Sequence, residues 1–385
     1  MSAPAQTNFL LFQAPDHFAK TTPQQSAFCC RDERISYAKL ASRSNKLAHA
    51  LISLGVKQGD RVGIFSQQSL HLPVAVFGIQ KAGAAYVPID PLTPAARLRQ
   101  IIVDTGIEVL ITQHERLGEL KKVLAEELPL TALIGIKEHS ACALKNLTWS
   151  EVEKFDDSLP AVTITEHDLA YIMMTSGSTG TPKGIMHTHF SGLSYAKLST
   201  STYAVTANDK IGSFAPLHFD ISTFAYFAGP LAGATTVLIP EEQLLFPANV
   251  LDLAQKEAMT IWYSAPYILV QIARRDLLAK LDLSHLRWVK FGGEVLHPKY
   301  LRQLIAQLPG TQFSNVYGPA EVNQCTYQHF SSAPESDGPL PIGQVWNDTH
   351  ALVLDENDQT VGPGEEGELL ISSPTRMCGY WNKPG

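Results

Sequence analysis

Residues 171–189 read YIMMTSGSTGTPKGIMHTH, and this stretch decides how the rest of the chain is read. Its first residues are apolar and strand-like. They run into a loop from Thr175 to Gly184 with five hydroxyls, three glycines and one lysine. Glycines without Cβ atoms let backbone N–H groups approach an anion, hydroxyls donate to its oxygens, and a lysine neutralises its charge. The composition of a polyphosphate cradle is present, with a flexible Ser/Thr/Gly surface loop as the plain alternative. A Walker loop is excluded, because that pattern has four residues between its glycines and a Ser or Thr after the lysine, whereas Gly184 follows Lys183.

Around this loop the chain alternates strand-like and helical segments. Leu40, Leu47, Ala48 and Leu51 recur on one helical face from Tyr37 until Gly55 stops it. A strand is expected at Arg61–Ser66, an apolar segment at Leu72–Ala82, a strand at Ala84–Pro88, a helix from Pro94 through Val103 and a strand at Glu108–Thr112. The rhythm returns after Ala170 and continues to about Phe330, which reads as α/β with largely parallel sheets. The tail differs: HALVLD and GELLIS are short β-like runs separated by turn signals, the start of a small β subdomain. Residues 221–240 carry no charge and are long enough to cross a bilayer, but Gly229-Pro230, Gly233 and Thr235-Thr236 divide them into a buried helix, turn and strand.

The 385 residues are 45% hydrophobic and 17% charged, enough for a substantial core, so disorder, collagen and coiled coil are excluded. The net charge of -7, without any basic run, argues against a nucleic-acid surface, and the N-terminus lacks a signal-peptide pattern. Five cysteines with no CxxC pair weaken both a disulfide framework and a thiolate metal site, and point to the reducing cytoplasm.

The order TSGSTGTPKG resembles the signature of the adenylate-forming superfamily, which contains acyl-CoA ligases, luciferases and the adenylation domains of nonribosomal peptide synthetases. KAGAAYVPIDPLTPAARL (Lys81–Leu98), FAPLHFDIS (Phe214–Ser222), FGGEVL (Phe291–Leu296), NVYGPAE (Asn315–Glu321) and GELLISSPTRMCGYWNKP (Gly367–Pro384) resemble its other motifs, in order. The resemblance implies an α/β fold of the large N-terminal core type, with two stacked α/β layers and the start of a small β barrel. Residues 1–338 would form the paired α/β subdomains and 339–385 the β-rich subdomain. The chain would stop before the ribose-binding aspartate, the hinge and the small lid with the catalytic lysine, so this portion is expected to turn over poorly.

Such enzymes join ATP and a carboxylic acid as an acyl-adenylate, release pyrophosphate and pass the acyl group to a thiol. By the family pattern Thr175, Ser176, Gly177, Ser178, Thr179, Gly180 and Lys183 would hold phosphate. Gly293, Glu294, Asn315, Val316 and Tyr317 would form the adenine site, with Tyr317 stacking on the base, and Glu321 would approach a Mg2+ ion. The chemistry needs no base from the protein, since the substrate carboxylate is already ionised near neutral pH. His218 is therefore read as an ordering residue, and His187 and His189 as local hydrogen-bonding residues. Ala320 departs from the family, which often has Thr there, so one hydroxyl contact to phosphate is expected to be missing.

Asp220 is the clue to the acid, because amino-acid-activating members place an aspartate at the matching position for the substrate's α-ammonium. A carboxylate in an apolar pocket is costly unless a cation pairs with it. The remaining pocket positions would be His218, Phe219, Ile221, Phe224, Tyr263, Lys290, Gly292, Val316, Gln324 and Cys325, mostly apolar and suited to a small amino acid. GPAEVNQCTY and SSPTRMCGYW resemble the stand-alone prolyl-adenylating enzymes that load a phosphopantetheinylated carrier protein, which implies L-proline. Lys290 is awkward: it is expected to point away from the ligand, and if it points inward an acidic side chain becomes attractive. An acyl- or aryl-CoA ligase and a nonenzymatic nucleotide-binding protein are the competing readings.

Overall fold

The computed structural model describes residues 8–124, 127–137, 144–176, 182–279 and 281–382. The expected alternation is found. The first long helix, Tyr37–Ser53, starts where the Ser36 hydroxyl accepts from Lys39 N, and it buries Leu40, Leu47, Ala48 and Leu51. The apolar segment is the helix His71–Lys81, buried on every side. Strands Arg61–Phe65, Ala85–Pro88 and Val109–Thr112 and the helix Ala95–Thr105 fall within a residue or two of their expected places.

Two large sheets organise these elements. The first has nine strands in the order Gln344–Val345, Thr326–Phe330, Gln312–Tyr317, Trp288–Gly292, Ile261–Ser264, Lys210–Ser213, Thr235–Leu238, Ser26–Cys30 and Glu33–Ser36. The run from Gln312–Tyr317 to Ser26–Cys30 is parallel, and its outer neighbours are antiparallel. The second sheet has eight strands in the order Gly379–Tyr380, Pro182–Thr188, Leu169–Ser176, Ala85–Pro88, Arg61–Phe65, Val109–Thr112, Ala132–Ile134 and Lys145–Leu147. Its body is parallel too, closed at one edge by antiparallel strands.

Strand residues alternate between the layers that cover each sheet. Tyr263, Trp288 and Val316 enter the large core that also takes in Tyr171, Tyr203 and Phe224, whereas Trp262, Val289, Phe291 and Phe313 face a separate core under the helices Pro247–Glu257, Pro266–Arg274 and Pro298–Gln307. Residues 221–240 are an internal turn and strand. A π-type turn at Phe224–Ala228 leads through Pro230 to Gly233 and the strand Thr235–Leu238. Gly233 is required there twice over, with φ +74° and with a Cβ that would sit 2.6 Å from the Phe18 ring. No helix among the described residues is long and apolar enough to span a membrane.

The tail does form β structure. His350–Leu354 and Glu368–Ser372 pair as an antiparallel hairpin, while Gln344–Val345 and Gly379–Tyr380 each extend one of the two large sheets.

Candidate active site

The parallel strands of both sheets deliver their carboxyl ends to one region, the place where open α/β sheets leave a crevice for ligands. In the eight-stranded sheet, Leu169–Ser176 runs out to residue 176 and returns as Pro182–Thr188, with Thr175 opposite Lys183. The Thr175 hydroxyl donates to Lys183 O at 3.4 Å, and Lys183 Nζ lies 5.2 Å from the centre of the Tyr380 ring. Gly177, Ser178, Thr179 and Gly180 lie outside the described residues, and so does the side chain of Ser176.

In the nine-stranded sheet, Gly293 and Glu294 follow the strand Trp288–Gly292, and Asn315, Val316 and Tyr317 end the neighbouring strand. All five line one cavity of about 340 Å³ together with Pro319, Leu340 and Ile342. Gly292 makes this close approach possible, because a Cβ there would meet Val316 O at 2.4 Å. Tyr317 keeps 41% of its surface exposed, so one ring face is available for stacking. Asn315 donates its side-chain N–H to Pro341 O at 2.9 Å, which leaves Oδ1 able to accept from an amine.

A second cavity, of about 430 Å³, joins the two sheets. Pro88–Asp90, Thr93, Arg97, Met173, Thr175, His218, Phe219, Asp220 and Ala320 line it. Asp220 Oδ1 accepts from Ile221 N at 2.9 Å, and no ion pair to Asp220 is found among the described residues. Burial pushes its carboxyl up to about 6, against the pull of the backbone N–H groups around it. The loop is pinned from below: Thr223 N donates to Asp220 O at 2.9 Å, and Asn323 Nδ2 donates to Thr223 Oγ1 at 2.7 Å. His218 packs its ring on Phe219, with Nε2 3.9 Å from Asp90 Oδ2, and burial holds its pKa below the ordinary value while Asp90 opposes.

Glu321 follows Pro319, which lines the first cavity, and Ala320, which lines the second. The Tyr380 hydroxyl donates to Glu321 Oε1 at 2.7 Å, and that contact raises the Tyr380 pKa to about 12. No cluster of three metal-ligating side chains is found among the described residues. A single fixed carboxylate suits Mg2+, which takes most of its ligands from phosphates and water. Ala320 offers no hydroxyl here, and its carbonyl accepts from His187 Nε2 at 2.9 Å. A carbonyl can only accept, so His187 carries its proton on Nε2, and its ring stacks on Tyr171 at 4.8 Å between centroids. His189 Nδ1 accepts from Leu11 N at 3.3 Å.

The remaining pocket positions form a chamber behind Asp220. Lys290 lines neither of the two cavities described above. Its side chain is fully buried, and its ammonium lies 3.6, 4.1 and 4.2 Å from the ring centres of Phe224, Tyr203 and Tyr263. The cause is register: Tyr263, Lys290 and Ser314 stand side by side on adjacent strands and so share one face. Gln324 and Cys325 are buried beside this row, and the Cys325 thiol, raised to about 11 by burial, is 3.5 Å from Tyr317 O.

Tyr203, Ser314, His329 and Tyr380 escaped the sequence reading. Tyr203 closes the chamber, and its hydroxyl lies 3.1 Å from Ser314 Oγ, which His329 Nδ1 also approaches at 3.1 Å. Strand pairing, invisible locally, brings Ser314 and His329 opposite one another. Tyr380 alone had a signal, since it lies inside the last quoted motif.

Comparison with known proteins agrees with the fold. The family model described as "AMP-binding enzyme" matches residues 15–381. An L-proline--[L-prolyl-carrier protein] ligase of Pseudomonas fluorescens is 31% identical over 377 residues, covering 97% of this chain and 74% of that protein. Tyrocidine synthase 3 of Brevibacillus parabrevis is 31% identical over 372 residues, or 95% of this chain, which spans only 5% of the synthase. Among solved structures, the inhibitor-bound N-terminal domain of FACL13 from Mycobacterium tuberculosis superposes with a TM-score of 0.87 at 25% identity, covering 97% of this chain and 92% of that one. The chain belongs to the AMP-binding, adenylate-forming enzyme family.

Proposed function

We propose that the protein activates an amino acid. A carboxylate oxygen of the amino acid attacks the α-phosphorus of ATP, the bond to the β-phosphate breaks, and an aminoacyl-AMP and pyrophosphate result. The aminoacyl group then passes to the phosphopantetheine thiol of a carrier protein. Asp220 carries this reading: a half-buried carboxylate without a protein cation among the described residues, on a cavity shared with Thr175, is a site for the α-ammonium. Thr175 and Lys183 would meet the phosphates, Tyr317 and Asn315 the adenine, and Glu321 a Mg2+ ion, which when bound would neutralise phosphate charge. Such positioning and charge neutralisation supply most of the acceleration in phosphoryl transfer.

For the side chain, the Pseudomonas relative supports L-proline, and the buried Lys290 supports an acidic amino acid. Calorimetric titration of the chain with nonhydrolysable aminoacyl- and long-chain acyl-adenylate analogues tests the class. The aminoacyl analogues should bind, and Asp220→Ala should weaken them at least tenfold while sparing the acyl analogue. Tight binding of the long-chain acyl analogue alone would instead make the protein an acyl-CoA ligase.

A further inference from the structure

A further crevice opens beyond the carboxyl ends of the eight-stranded sheet, and it shares no lining residue with either cavity of the candidate active site. Its origin is topological. Arg61–Phe65 lies between Ala85–Pro88 and Val109–Thr112, and it is parallel to both. From the end of Arg61–Phe65 the chain crosses through the helix His71–Lys81 to Ala85–Pro88 on one side. From the end of Val109–Thr112 it crosses through the helix Leu117–Leu124 to Ala132–Ile134 on the other. Neighbouring strands whose connections part in this way leave a gap beyond their ends, the position at which open α/β sheets take ligands. The gap here holds a cavity of about 210 Å³.

Leu72, Ala75 and Ile111 make part of its lining apolar, and the rest is polar. Some of the polar groups are already engaged by the protein: the Thr112 hydroxyl donates to Phe65 O at 2.9 Å, and the Ser66 hydroxyl donates to Gln113 Oε1 at 3.0 Å. Others are not. The Ser69 hydroxyl and the Trp149 indole N–H make no hydrogen bond among the described residues. His71 stacks on Trp149 with 4.1 Å between ring centres, and Arg43 Nη2 meets its Nδ1 at 3.3 Å. A guanidinium can only donate, so the proton of the neutral imidazole sits on Nε2, which has no acceptor among the described residues. Burial and the Arg43 charge keep that ring neutral, with a pKa lowered to about 4. Lys137 adds a positive charge, and Glu115, the one carboxylate of the described lining, stays 3.9 Å from it.

An excess of donors suits a ligand built of acceptors. A phosphate monoester presents three strongly accepting oxygens and about 1.5–2 negative charges, and a short organic body would lie against Leu72, Ala75 and Ile111. The volume is below the range of about 300–1,000 Å³ usual for drug-sized ligands, so that body is only a few carbons long. We propose that this crevice is a second ligand site, which binds a small phosphate monoester through Ser69, His71, Lys137 and Trp149. It is independent of the amino-acid and nucleotide readings of the candidate active site.

The test is calorimetric titration of the chain with glycerol phosphate, with glycerol and acetate as controls. Glycerol phosphate should bind with a Kd of about 1 mM or tighter, and both controls at least tenfold more weakly. Replacing Ser69→Ala and Lys137→Ala together, at two side chains outside the core, should weaken it at least tenfold, with folding checked by circular dichroism. Lys183→Ala, in the candidate active site, should leave it unchanged. Saturation should also alter the tryptophan emission of the chain, and Trp149→Phe should remove that change. Absence of saturable binding overturns the inference, and acetate binding as tightly as the ester overturns the assignment to phosphate. Binding that survives the joint replacement, or is lost in Lys183→Ala, places the ester in the candidate active site and overturns the second site.

Discussion

Asp220 affects binding and stability with opposite signs across the same pH range. Its carboxyl titrates near 3.8 when unfolded and at about 6 when folded. Between those values the native state holds the extra proton, so this group's contribution to stability falls as pH rises, and the penalty is complete above about 6. Binding of an ammonium needs the carboxylate. Affinity for aminoacyl-adenylate analogues should therefore rise about tenfold per pH unit up to about pH 6 and then level, and calorimetry on Asp220→Asn should give a flat profile. The histidines act the other way on stability. Burial lowers His71, His187 and His189 to about 4 each, from 6.5. The unfolded chain takes up more protons in that window, so the stability is fully present above pH 6.5 and is lost as pH falls through 4. Three such groups outweigh one Asp220, and urea midpoints should fall steadily from pH 6.5 towards pH 4. Asp220 was legible because a carboxylate inside an apolar motif needs a reason. The direction of Lys290 was not, because Trp288, Val289 and Phe291 are apolar on both faces of a doubly covered strand, which removes the period-two signal.

Among the elements, the helix His71–Lys81 is tied to its neighbours by one side chain. Lys81 closes its last turn and joins Asp16 on the helix Gln13–Thr21 to Ser44 and Asn45 on the helix Tyr37–Ser53. Lys81→Met keeps the stem but leaves Asp16 largely buried without its cation, which should cost about 3 kcal/mol. Urea unfolding measures it, and a loss below about 1 kcal/mol would show that the three helices hold by apolar packing alone. Elements with a one-sided pattern were readable in advance. The Tyr37 helix shows an apolar stripe ended by Gly55, whose φ is +99°. In the hairpin of HALVLD and GELLIS, Glu368–Ser372 alternates between exposed and half-buried residues, whereas His350–Leu354 is exposed at its first three residues and half-buried at its last two. The segment 221–240 was readable for a different reason, since its glycines and proline interrupt it at intervals too short for a membrane helix.

At the scale of the molecule, pairing between distant strands decides the site, and no local pattern encodes it. The six strands of the parallel run in the nine-stranded sheet are short and similar in length, so their order could have been permuted without changing the local strand signal. Only the family motifs placed Asn315, Gly293 and Asp220 together. Some arrangements escaped even the motifs, such as the strand Gly379–Tyr380 against Pro182–Thr188, which sets Tyr380 on Glu321.

The N-terminal strand Ser26–Cys30 lies between Glu33–Ser36 and Thr235–Leu238, and Thr235 Oγ1 donates to Ser26 O across 209 residues. A ribosome adding roughly 5–20 residues per second takes on the order of 10–40 s to supply that second neighbour. Throughout this interval the nascent chain exposes an unpaired edge on the strand that carries Cys29 and Cys30, both buried in the folded protein. The yield of folded protein then depends on whether chaperones and cellular thiols keep that edge monomeric and reduced until residue 238 has been made.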